Sequence, residues 1–315
     1  MTRYVVQRLL MVIPVLFGVT LVTFFAMRIL PGDLARTTLG ENATPEAIEA
    51  FREEHGLDDP LVTQYLRWVG GLVTLDLGES FRSADRPVLD EILRRIPVTF
   101  ELAIISLAFS LLISFPAGII SAVKQDSIAD YVSRVLSMAG LAIPSFVMGS
   151  LMITLPAIWW GWIPPLRYTG FTDNPVSNLG QMILPAIALG LGLAGSVTRM
   201  IRSQLLEVLR QDYIRTARAK GVAGHIIVQR HALRNALIPV LTVIGLQLGV
   251  LLGGTIIIEQ IFALPGLGRL MVESVGLRDY PMVQGVVVFL AFAYVVVNLL
   301  VDLSYAWLDP RIRYS

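Results

Sequence analysis

The amino-acid sequence predicts an all-α integral membrane protein with six transmembrane helices, and three observations carry that expectation. Hydrophobic residues make up 55% of the 315 and charged residues only 16%, where soluble domains carry roughly 25% charged; the mean hydropathy is +0.68. Six apolar segments are long enough to cross a bilayer, which takes about 20 residues as a helix. Basic residues are concentrated in one place. Residues 199–235 hold eight Lys or Arg against two acids, Glu207 and Asp212, in a chain of net charge +1.

The spans are expected at about 9–30, 99–123, 131–158, 179–201, 236–262 and 281–307. Each has to be helical, because lipid offers backbone N–H and C=O groups no partner. Arg3 and Arg8 before the first apolar run could suggest a signal peptide. That run continues through Phe24, Phe25 and Leu30 without a clear small-residue cleavage site, so it reads as an uncleaved first span.

Lys and Arg near helix ends resist translocation, which orients the chain. Arg3, Arg8, Lys124, Arg134, the eight basic residues of 199–235, Arg311 and Arg313 fall on one side; the short loops opposite hold only Arg167, Arg269 and Arg278. Both termini are therefore expected inside. The whole of 1–315 reads as one transmembrane domain, with 31–98 a helical external insertion and 202–235 a cytoplasmic loop.

The 31–98 segment holds thirteen acids and seven Arg. Thr44-Pro45-Glu46 has the form of a helix start, with an N-cap, a proline in the first turn and an acid near the positive end of the dipole. That helix should continue to Glu54 and stop at Gly56, and Pro60 should open another through Tyr65, Leu66, Trp68 and Val69. Two short amphipathic helices over the outer mouth are expected. A plain spacer is the poorer alternative, given the repeated aromatic and aliphatic residues.

Cysteine is absent, which excludes disulfides and thiolate metal sites. His55, His225 and His231 fall in predicted loops or short amphipathic stretches, so no metal site is expected. Within the spans Arg28, Glu101, Arg199, Glu259 and Asp302 sit toward segment ends. The lack of a mid-membrane carboxylate argues against a proton- or sodium-coupled carrier.

Gly245, Gly249 and Gly253 form overlapping GxxxG patterns, read as helix packing, and Ala186, Gly190 and Ala194 make a similar stripe. Pro116, Pro144, Pro156 and Pro185 can kink or end their helices. Gln247 and Asn298, with Thr255 and Ser145 as weaker candidates, either line a translocation path or hydrogen-bond a neighbouring helix.

In the basic segment, Ala217 and Ala219 favour helix and leave little bulk, so a partner's groove could approach the backbone. Arg215, Arg218 and Lys220 supply charge for an acidic rim, and Gly221 can take the positive φ that ends a helix. A basic patch attracted to anionic lipid is the equal alternative on composition alone.

The run Asp212-Tyr213-Ile214-Arg215-Thr216-Ala217-Arg218-Ala219-Lys220-Gly221, followed by His231-Ala232-Leu233-Arg234-Asn235-Ala236-Leu237-Ile238-Pro239, resembles the ATPase-coupling loop of ABC importer permeases, in their dipeptide and oligopeptide branch. Further motifs share the resemblance in order: Pro31-Gly32-Asp33, Pro60-Leu61 through Gln64-Tyr65, Phe262 to Gly268, Arg278-Asp279-Tyr280-Pro281, and Leu308 to Tyr314. The general coupling motif has Glu-Ala-Ala where this chain has Arg215-Thr216-Ala217, a departure similar to the peptide branch. At Thr74-Leu75-Asp76-Leu77-Gly78, Leu75 replaces the first glycine of a frequent Gly-Asp-Leu-Gly.

The resemblance implies a type I importer permease fold in a bacterial or archaeal inner membrane. It also implies a second related permease, two cytoplasmic ATPases that carry ATP and Mg, and an external solute-binding protein. Alternating access would be driven through a coupling helix around Tyr213, Arg215, Thr216, Ala217, Arg218, Ala219, Lys220 and Gly221. The chain has no GxxxxGK[ST] phosphate loop, so it should not hydrolyse ATP alone and should bind no cofactor. Di- or oligopeptides are the expected cargo; glutathione, nickel chelates or sugars on the same machinery are the alternative. An ion-coupled secondary transporter is a distant one. An intramembrane protease is more remote, because Ser150 and Ser196 have no intramembrane histidine.

Overall fold

A computed structural model describes residues 2–29, 33–40, 43–82, 86–165 and 167–308. Leu30, Pro31, Gly32, Asp309 to Tyr314, with Arg311 and Arg313, lie outside the described residues, as do the side chains of Arg3 and Asp302. The described chain is helical, in the order α1 (Thr2–Ile29), α2 (Leu34–Leu39), α3 (Pro45–Glu54), α4 (Leu61–Thr74), α5 (Val88–Val123), α6 (Ile128–Ala142), α7 (Ser145–Trp160), α8 (Pro175–Leu209), α9 (Asp212–Ala219), α10 (Gly224–Ile226), a π-helical turn Ile227–Ala232, α11 (Leu233–Ile261), α12 (Leu267–Leu277) and α13 (Tyr280–Leu308).

Five described helices are long and apolar enough to cross a membrane: α1, α5, α8, α11 and α13. The expected span at 131–158 is not one helix. It is the pair α6 and α7, bent by 96°, and it supplies a sixth crossing only if the pair is counted together. Proline is the cause: Pro144 cannot donate to the helical ladder and holds the residue before it extended. Ile143 accordingly sits at φ −89°, ψ 116°, ending α6, and Pro144 opens α7.

The chain divides into two compact units, Thr2–Thr99 with Pro265–Val296, and Phe100–Leu264 with the stretch from Val297 on. In the first, the core brings together Val88 and Ile92 of α5, Leu267 and Leu270 of α12, and Met282 and Val286 of α13. Asp279 ties the Ser80-Phe81 stretch to the start of α13. It accepts from Ser80 Oγ and the Phe81 N–H, and its backbone carbonyl accepts from the Val283 N–H.

Helices α3 and α4 start as expected, with Thr44 Oγ1 accepting from the Ala47 N–H and Pro60 preceding Leu61. They are no bare spacer. Tyr65 and Trp68 of α4 pack on the buried Phe24 of α1, and the Thr20 and Tyr65 hydroxyls lie 2.9 Å apart. Leu75 ends α4 at φ 60°, in the left-handed region that costs a non-glycine residue about 1–2 kcal/mol. That is where the family pattern often has glycine.

In the second unit α8 is the central element. Met182, Ala186, Leu189, Leu193, Val197, Ile201 and Leu205 are buried at steps of three and four, the spacing of one helical face. Small residues bring neighbouring backbones close, as expected for the Ala186, Gly190, Ala194 stripe. A Cβ on Gly190 would lie 2.7 Å from the Ser106 carbonyl oxygen of α5. In the 161–174 connection, Tyr168 donates to Glu101 Oε2 at 3.1 Å; burial first, and the Glu101 charge second, push its phenol up to about 12.

Candidate functional site: an anchored, cationic helix

Helix α8 stops at Leu209, Gln211 turns extended at φ −69°, ψ 149°, and α9 begins at Asp212. The chain leaves α9 through Gly221 at φ 78°, a conformation open to glycine at no steric cost. The Gly221 and Val222 N–H groups donate to the Arg218 and Ala217 carbonyls, satisfying the helix end in the manner of a left-handed cap.

One residue fixes α9 to the rest of the unit. Ile214 is fully buried, in a cluster with Ala122 of α5, Leu205 of α8, Ile227 and Ala232 of the π-helical turn, and Ala236 of α11. Ala217, half-buried, packs on the same cluster. The sequence reading left both alanines free for a partner's groove; in the structure Ala219 is exposed and Ala217 is half-covered by this chain's own cluster. Spacing decides it: 214 and 217 share a helix face, and 219 does not. Tyr213, Arg215, Thr216, Arg218, Ala219, Lys220 and Gly221 are exposed.

The structure also brings together the two halves of the motif. Asn235 Nδ2 donates to the Tyr213 phenol oxygen at 2.8 Å, and the His231 carbonyl accepts from Asn235 Nδ2 at 3.3 Å. The intervening π-helical turn is a geometry rare enough to mark functional positions. Ile214 as an anchor was legible only in the apolar residue between polar neighbours.

A second tether was missed in the sequence. Asp130, at the start of α6, takes both Nε and Nη2 of Arg202 on α8 at 2.8 Å, and also accepts from Ser121 Oγ and the Asp126 N–H. Sequence separation hid it, since the partners are 72 positions apart.

The expected path and packing residues are scattered. Gln247 Nε2 donates to Ser196 Oγ of α8 at 3.3 Å, the interhelical alternative. Thr255 is fully buried and its hydroxyl donates to the Leu252 carbonyl; Asn298 is half-buried. Of the glycine stripe, Gly249 is buried and Gly245 sits where a Cβ would overlap Val301. Gly253 is exposed, with nothing within 4 Å of a Cβ, and Gly254 instead meets Leu189. Steps of four drift by about 40° each on a 3.6-residue helix, so two steps carry Gly253 off the packed face.

The described chain is a multi-span helical protein with an anchored cationic helix between its apolar segments. Comparison with known proteins agrees. The family described as "Binding-protein-dependent transport system inner membrane component" matches residues 114–314, and its N-terminal companion matches residues 1–103. The chain belongs to this family of ABC importer permeases.

A putative peptide transport system permease protein of Brucella abortus is 44% identical over the full length of both chains. The dipeptide transport system permease protein of Alkalihalophilus pseudofirmus is 42% identical and the glutathione transport system permease protein of Escherichia coli 41%, again with full coverage of both. Among solved structures, inward-facing forms of the MetNI methionine ABC transporter align with TM-score 0.58 at 19% identity, covering 71% of this chain and 99% of theirs. That likeness is one of fold.

Proposed function

We propose that the chain forms half of the translocation path of an ATP-driven importer of di- or oligopeptides and that α9 receives the ATPase. The anchoring of α9 carries the mechanism: Ile214 is locked into the cluster joining α5, α8 and α11, so displacement of its exposed face moves those helices together. Full-length relatives named for peptide and dipeptide transport support the cargo. The relative named for glutathione, itself a tripeptide, makes that compound the second cargo to assay.

In this reading 202–235 faces the cytoplasm with both termini, in the inner membrane of a bacterium or archaeon, and 31–98 faces outward toward a solute-binding protein. A second, related permease completes the path. Two ATPase subunits hold ATP and Mg, and closure of those subunits drives α9 and rocks the spans between outward and inward access. The lack of a phosphate loop in this chain fits that division of labour. The domain assignment as one permease, 1–315, belongs to the same proposal.

Reconstitution with the second permease, ATPases and binding protein in liposomes tests it. Dipeptide uptake should require ATP and binding protein, and Gly221→Pro should abolish uptake while assembly persists. Uptake without the ATPases would refute the reading; ATP turnover stimulated by binding protein without peptide uptake would refute the cargo.

A further inference from the structure

The unit formed by Thr2–Thr99 and Pro265–Val296 contains a cavity of about 310 Å³, at the small end of the range of about 300–1,000 Å³ usual for small-molecule sites. Its lining includes Arg28, Trp68, Asp76, Phe81, Tyr280 and Gln284. We propose that this cavity binds the carboxylate of a short zwitterionic peptide through Arg28 and Gln284. The inference rests on the peptide-importer reading and names a site that reading does not use.

Arg28 there has no anionic partner among the described residues, and Gln284 has an amide N–H without an acceptor. Arg28 is half-buried over the Phe24 ring, 3.5 Å from its centroid. Its Nε and Nη2 donate to Gln64 Oε1 and its Nη1 reaches the Phe24 carbonyl only at 3.4 Å. Among the described residues no carboxylate pairs with it. Gln64 cannot turn to offer more, because its Nε2 donates to the Leu57 and Asp59 carbonyls. Gln284 is only 5% exposed and its buried Nε2 has no hydrogen-bond partner. A guanidinium hydrogen-bonded only to neutral oxygens and an unused buried amide N–H are both costly, and a carboxylate in the cavity that both residues line accepts through two oxygens and matches the guanidinium fork.

The remaining lining completes the choice of ligand. Asp76 is exposed, with one oxygen accepting from the Gly78 N–H, and can face an ammonium group. Trp68, Phe81 and Tyr280 give apolar surface for one side chain. Arg67 of the same lining is already paired with Asp59 at 2.6 Å; Arg28, Asp76 and the aromatic walls in so small a volume fit a dipeptide better than a simple anion.

The test uses the intact importer assembly in nanodiscs, without binding protein, titrated by calorimetry with alanyl-phenylalanine and with its C-terminal amide. The expected result is saturable dipeptide binding, weakened by about tenfold or more for the amide and for Arg28→Gln. Arg28→Lys should retain part of it. Gln284→Glu should abolish it by supplying the cavity with a carboxylate of its own; melting temperatures near that of the parent show that these variants are folded. Absence of saturable binding, equal binding of acid and amide, or binding unchanged in both Arg28→Gln and Gln284→Glu overturns the inference. So does the outcome in which dipeptide fails to bind but Arg28→Gln weakens association of the binding protein, because the cavity then takes an acidic side chain of that partner. Uptake by the complete assembly is measured in parallel: uptake without binding at this cavity removes the inference alone, and carboxylate-dependent binding without uptake removes the importer reading while the site stands.

Discussion

Asn235 donates through Nδ2 to the Tyr213 phenol oxygen at 2.8 Å, joining the first turn of α9 to the first turn of α11 across 22 residues of sequence. The bond is at the surface, so its worth is at the low end for hydrogen bonds, about 0.5 kcal/mol. Its value to the protein lies in holding α9 at one angle. In a double-mutant cycle of Tyr213→Phe and Asn235→Ala, the two changes should be non-additive in peptide uptake by the reconstituted importer, each single change costing nearly what the pair costs. Fully additive losses would show that the bond does not hold the helix.

Ile214 makes a stronger claim. Truncation to Ala leaves a cavity in the cluster shared with Leu205, Ile227 and Ala236, and should destabilise this region by about 3 kcal/mol. The diagnostic result is ATP hydrolysis that survives while uptake falls, because the ATPases then push on a helix no longer fixed to the spans. Ile214→Val, which loses a single methylene, should cost about 1 kcal/mol and keep most uptake.

The Asp130–Arg202 pair should behave differently from both. Asp130 is buried and Arg202 is 21% exposed in its side chain, so the expected cost of Asp130→Asn is about 2 kcal/mol, between exposed and fully buried pairs. The loss should appear in the melting temperature of the purified complex. Because the pair ties α6 to α8 and does not touch α9, ATPase docking should be retained, as a pull-down of the assembled complex can check.

Gly221 is the hinge where backbone conformation alone decides. No atom lies within 4 Å of a Cβ placed there, but φ is +78°, so Gly221→Ala should cost about 1 kcal/mol from left-handed strain without a clash. Uptake should fall modestly. Gly221→Pro, whose ring fixes φ near −65°, should eliminate uptake, and thermal unfolding of the pair of variants separates the two effects.

Much of this was legible before the fold. Apolar length located every span region, Thr44 and Pro60 marked the starts of α3 and α4, and the basic motif marked α9 and its terminal glycine. The single-span reading of 131–158 failed because hydropathy is blind to direction; Pro144 allowed a bend but could not state its 96°. Gly253 lies off the face that packs Gly245, because a four-residue step overshoots a full turn. The partners that hold the site, Asp130 with Arg202 and Tyr213 with Asn235, are pairings across the fold, and neither residue of such a pair announces the other in the sequence.

The central claim is that the exposed face of α9 is the surface the ATPase grips. The chain contains no cysteine, so Ala219→Cys introduces a single thiol on that face. Bifunctional cross-linking of the assembled importer, made with this variant and with Val62→Cys on the exposed side of α4 as control, tests it most directly. The account predicts that the thiol at 219 captures an ATPase subunit and the thiol at 62 does not. Capture of the ATPase from position 62, with none from 219, would contradict it.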